Sequence, residues 1–99
     1  MSLQQEKAAA GKVIDRALAK GCFISVNDGG EWVVKKSTKR REIMDALAST
    51  DADHLMIRDA NGERVGVIYL VWGNGDPDTV VCDYTDKPAI REIVEGASA

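Results

Sequence analysis

Five of the chain's 13 basic residues fall in one short run, Lys35-Lys36-Ser37-Thr38-Lys39-Arg40-Arg41. Lys39, Arg40 and Arg41 are expected in the first turn of a helix that Ser37 or Thr38 can cap. Cations are awkward there, because a helix N-terminus already carries partial positive charge. An anion would relieve the repulsion and use the free backbone N–H groups. Lys35, Lys36, Lys39, Arg40 and Arg41 are therefore candidate contacts to phosphate or nucleic acid. The plainer reading is a solvated basic face that pairs with the chain's own acidic half, and it takes precedence because basic runs alone are weak motifs. Only Trp32 lies near enough to interleave as a stacking group.

Other groupings promise less chemistry. Asn74-Gly75-Asp76-Pro77-Asp78 suggests calcium, but the spacing does not follow the twelve-residue EF-hand loop and no Glu closes it. One histidine and two distant cysteines cannot supply a recognisable zinc set. His54 and Cys82 form the one Cys–His pair that could support nucleophilic catalysis. Cys82 follows Val80-Val81, where burial would raise its pKa and quiet it. Ser25, His54 and Asp83 can be written as a triad, but no nucleophile elbow accompanies them. Gly73-Asn74-Gly75 is not a phosphate-cradling loop, since Asp76 follows it. No cofactor or metal motif emerges, and an enzyme is the less favoured class.

The elements that must carry these residues follow from periodicity. Ser2 and Gln5 fit a helix start, and Ala10, Val13, Ile14, Ala17 and Leu18 form one apolar stripe closed by Gly21. Cys22–Val26 and Glu31–Lys36 flank Asn27-Asp28-Gly29-Gly30 as a hairpin. A second helix reaches about Ser49, with Ile43, Ala46 and Leu47 inward and Met44 at its edge. His54–Asp59 and Arg64–Trp72 flank Asn61-Gly62, the strongest hairpin turn in the chain. Thr79–Tyr84 is a last strand. Asp86 can cap a last helix that buries Ile90, Ile93 and Val94, and Pro88 is tolerated in its first turn. The order α-β-β-α-β-β-β-α gives an α+β fold with a mainly antiparallel sheet, one domain over residues 1–99.

In Arg64–Trp72, Val65, Val67, Tyr69 and Val71 point one way, and Ile68, Leu70 and Trp72 the other. Both faces being apolar, this strand is expected to be covered on each side. Three short helices are a small cover for two faces, and a leftover apolar face is buried by self-association. Closed two-fold dimers are the commonest oligomer. Trp32, Tyr69 and Trp72 are the candidate interface residues.

The bulk numbers agree with a small folded domain. The 99 residues are 44% hydrophobic and 29% charged, with a net charge of −3. Residues 1–50 carry nine bases and six acids, and residues 51–99 four and ten. That overall acidity argues against general nucleic-acid steering. Two cysteines in apolar surroundings and no apolar leader argue for the reducing cytoplasm. The longest apolar run is too short to span a bilayer.

The phrases Ile24-Ser25-Val26-Asn27-Asp28-Gly29-Gly30-Glu31-Trp32, Ser49-Thr50-Asp51-Ala52-Asp53 and Val71-Trp72-Gly73-Asn74-Gly75 resemble small uncharacterised bacterial proteins, some of them phage-derived. The resemblance covers residues 20–96 and implies no activity and no functional residue. The expected function is a non-enzymatic protein-interaction module, self-associating as a homodimer or joined to another protein. A nucleic-acid or phosphate-binding accessory protein is the second reading, and a small enzyme using His54 and Cys82 the third.

Overall fold

The computed structural model describes residues 3–98. Helix α1 (Leu3–Ala19) leads into strands β1 (Phe23–Asn27) and β2 (Trp32–Ser37), then helix α2 (Arg40–Ala46). Strands β3 (Ala52–Arg58) and β4 (Arg64–Val71) follow. A 3₁₀ turn (Pro77–Thr79), strand β5 (Val81–Tyr84) and helix α3 (Pro88–Ser98) complete the chain. The five strands form one antiparallel sheet in the order β2-β1-β3-β4-β5.

Local chemistry sets the corners. Gly21 takes φ +81° and passes its N–H to the Leu18 carbonyl, closing α1. Asp28 Oδ1 accepts from the N–H groups of Gly30 and Glu31 and shapes the β1–β2 turn. Asp59 Oδ1 does the same for Asn61 and Glu63, leaving Gly62 at φ +84°. The expected Ser2 cap lies outside the described residues. At α2 the N-cap is Lys39, and Ser37 Oγ accepts from its N–H at 3.0 Å. The helix stops at Ala46 rather than near Ser49, because Leu47 is extended and Ala48 turns to φ +63°.

All three helices bury their stripes on one face of the sheet. Ile14, Ile43, Ile90 and Ile93 join Ile24, Val26, Leu55, Ile57, Ile68 and Leu70 in a single core. Gly66 makes room for this layer: a Cβ there would stand 2.8 Å from Ile90 Cγ1 and 2.9 Å from Thr85 Cβ. The expectation that β4 is covered on both faces is therefore corrected. Ile68 and Leu70 face the helices, whereas Val67, Tyr69 and Val71 are half-buried and lie outside the core cluster. Period-2 alternation reveals which residues share a face but not how many layers of cover exist.

Candidate interaction face

The open face is set by register. Asn27 pairs with Trp32 and His54, His54 with Tyr69, and Tyr69 with Asp83, so one row crosses all five strands. A second row runs Ser25, Met56, Val67, and Phe23 stands beside Arg58. The His54 and Tyr69 rings stack at 4.5 Å and 25°. Trp32 is 44% exposed, while Phe23, Met56, Val67, Tyr69 and Val71 are half-buried. An antiparallel sheet with one solvated face ordinarily alternates apolar inward with polar outward. Here the outward set is itself largely apolar.

Trp32 and Tyr69 share the long row. Trp72 does not: it is buried at 9% exposure, and its indole Nε1–H donates to Asp53 Oδ2 at 2.8 Å. It belongs to the core rather than to an interface.

The basic run is divided by the fold. Arg40 Nε reaches Asp15 at 2.6 Å, lying over Gly11 of α1, and Arg41 approaches Asp45 at 3.8 Å within its own helix. Arg40 is held by an acid of the protein's own, whereas Arg41 stays 94% exposed and makes only a loose pair. Lys39 is the exposed N-cap of the short α2. Lys35 and Lys36 lie on β2, where a bulge gives Lys36 φ +48° and lets its N–H donate to Ser25 Oγ at 2.9 Å. With Ser25, Trp32, Met56 and Arg58 they line a shallow cleft of about 250 Å³ on the open face.

His54 and Cys82 do not meet. Strand β4 lies between their strands, and Tyr69 stacks on the imidazole. Cys82 is exposed rather than buried, because the β4–β5 ladder slips between Tyr69 and Leu70 and takes it out of alternation. Cys22 is the buried thiol; burial, aided by the Asp59 charge, raises its pKa. One thiol equivalent, Cys82, is therefore expected to react quickly with a chromogenic disulfide on the native protein, and Cys22 only as the fold opens. Two fast equivalents would contradict this placement. Asp76, considered for calcium, accepts from the Asp78 N–H at 2.9 Å and caps the 3₁₀ turn. No group of three or more metal-ligating side chains occurs among the described residues.

Two buried carboxylates escaped the sequence reading. Glu6 is 2% exposed and accepts from the N–H groups of Gly73 at 3.0 Å and Gly75 at 3.3 Å. Its signal was available: position 6 falls on the Ala10–Val13–Ala17 stripe, where a charge is out of place. Glu6→Ala leaves those donors without their acceptor and is expected to cost about 2 kcal/mol, read as a lower urea midpoint. Asp53 is fully buried, with Oδ2 accepting from Trp72 and, at 2.8 Å, from the Ala48 N–H. Its Oδ1 has no partner. Burial raises its pKa, against the two hydrogen bonds that lower it.

On the helical side, residues of α1, the 3₁₀ turn, β5 and α3 line a groove of about 630 Å³ that includes Val81 and Tyr84. No described helix is long and apolar enough to cross a membrane. The fold and face define an α+β sheet protein with one covered and one open face. Comparison with protein-family models, curated proteins and solved structures gives no match.

Proposed function

We propose that this chain is an interaction module that binds a second copy of itself through the open sheet face. The observation that carries the reading is the outward set of Phe23, Met56, Val67, Tyr69 and Val71, which no helix covers. Water is a poor neighbour for a contiguous apolar patch, and sheet-on-sheet packing would remove it.

The sheet's two edges support contact through the face. On β2 the edge is bulged and carries Lys35 and Lys36. On β5 the Tyr84 N–H is taken by the neighbouring Asp83 Oδ1 at 2.8 Å. Both devices blunt strand addition, which leaves the face as the sticky surface. Sedimentation equilibrium across the micromolar range should give twice the chain mass. A monomer at high micromolar concentration would overturn the proposal.

A second reading has one specific observation behind it. Lys35, Lys36 and Arg58 gather around the exposed Trp32, a combination suited to a phosphate with a stacking base. If nucleic acid is the ligand, retention of single-stranded oligonucleotide should fall steeply with salt and vanish in Lys35→Glu/Lys36→Glu. Unchanged retention in that variant would exclude this cleft.

A further inference from the structure

We infer that the cleft beside Trp32 takes a single nucleotide through a terminal phosphate monoester, its base stacked on the indole and its phosphate among Lys35, Lys36 and Arg58. This deepens the second reading above and rests on the same cleft, but it replaces a strand with one phosphorylated base.

A backbone irregularity brings the cations together. Val34 and Ser37 of β2 are both buried and pair with Val26 and Ile24 of β1. Regular alternation would turn one of the two residues between them toward the helices. The bulge instead sets Lys35 and Lys36 together opposite Ser25, with Lys36 at φ +48°, a region that residues with a side chain rarely take. Both lysines consequently line one cleft with Arg58, and no carboxylate is among its lining residues. Neither lysine joins a described salt bridge, and Arg58 gives one N–H to the Gly62 carbonyl at 3.0 Å. Like charges gathered around about 250 Å³ repel one another until an anion enters.

Ser25 adds a buried polar group to the lining. It is 7% exposed, and its Oγ accepts from the Lys36 N–H at 2.9 Å. Among the described hydrogen bonds its own O–H donates to none, and a phosphate oxygen would be the acceptor it lacks.

Aromatic cover and charge choose between a strand and a single nucleotide. Proteins that hold single strands line up successive bases on several aromatic side chains. Among the described residues Trp32 is the exposed aromatic side chain, at 44%, whereas Phe23, Tyr69 and Tyr84 are half-buried. One platform takes one base. A phosphodiester inside a strand carries one negative charge, and a phosphate monoester approaches two near neutral pH. Cations converging on one place favour the monoester.

Equilibrium dialysis tests this at a chain concentration where sedimentation shows single chains, because pairing through the open face would cover the same cleft. Adenosine 5′-monophosphate should bind, with adenosine and inorganic phosphate each roughly tenfold weaker. A 5′-phosphorylated oligonucleotide should outbind the same strand ending in a 5′-hydroxyl by a similar factor. Lys35→Glu/Lys36→Glu should abolish binding of the nucleotide, and Trp32→Leu should weaken it roughly tenfold. Circular dichroism confirms that both variants are folded. A 5′-hydroxyl strand held as tightly as the phosphorylated one would overturn the inference and leave the strand reading standing. Inorganic phosphate as tight as the nucleotide, or a nucleotide indifferent to either variant, would also overturn it. If no probe binds, the inference and the second reading fall together.

Discussion

If the chain pairs through its open face as proposed, Val67→Lys is expected to dissolve the pair, raising its Kd at least a hundredfold while leaving the protomer folded. Val67 pairs with Met56 in the middle of the open face and takes no part in the core cluster. The lysine therefore meets no helix and displaces no buried neighbour in the single chain. In the proposed associated state its ammonium would have to leave water for a largely apolar face, a cost of several kcal/mol. Sedimentation and thermal melting together give the readout. The mass should fall to that of one chain, and the melting of the dissociated protomer should move by little more than an exposed strand substitution causes, about 1 kcal/mol. An unchanged dimer would place the contact elsewhere, with the groove between α1 and α3 the next surface to test.

Asp53→Ala is expected to be among the most destabilising single changes, at about 3 kcal/mol. It strips the acceptor from the Trp72 indole and the Ala48 N–H together and leaves a space beside β3. Asp53→Asn should behave differently. Both donors converge on one oxygen, so an amide oxygen in that place keeps both bonds. The amide nitrogen then takes the place of the unpartnered Oδ1. What is lost is a buried negative charge, so the asparagine variant should lie within about 1 kcal/mol of wild type at neutral pH.

The pH dependence has a definite sign. Burial raises the folded-state pKa of Asp53 above its ordinary value of 3.8. The folded state therefore binds this proton more tightly than the unfolded chain does. The stabilisation is complete below the unfolded value and is lost as pH rises through the folded one. Relative to Asp53→Asn, wild type should gain stability between pH 7 and pH 4, measured as the difference between paired urea titrations. A difference that moves the other way would mean that the carboxylate is better held than its neutral form.

The parts of the fold that were legible in the sequence are those fixed by neighbours in the chain. The Asn27–Gly30 and Asn61–Gly62 turns needed only residues that tolerate positive φ or accept from nearby N–H groups. The stripes of α1 and α3 needed only a 3.6-residue period. The single-sided cover of β4 was not legible, because both of its faces are apolar and alternation is blind to what sits above each. Cys82 was misplaced for a related reason: a slip in a ladder is a property of two strands, not of Val80-Val81-Cys82 alone. The run from Lys35 to Arg41 looked like one site, but Arg40 found Asp15 of α1, a partner 25 residues away in sequence. Trp72 looked like an anchor for a partner until Asp53, itself on the buried parity of β3 with Leu55 and Ile57, claimed its indole. A lone acid alternating with aliphatic residues was the available clue.

The Glu6 clamp also bears on how the protein matures. Helix α1 is made before the elements it joins, yet the N–H groups that its carboxylate grips belong to Gly73 and Gly75, and it also packs on α3. Until those later residues are made, the helix can dock on β1 and α2 but part of its stripe stays wetted. The β1–β2 and β3–β4 hairpins, closed by short turns, can form before it settles. The last seam of this fold to close would then be the one that joins α1 to the Gly73–Gly75 loop and α3.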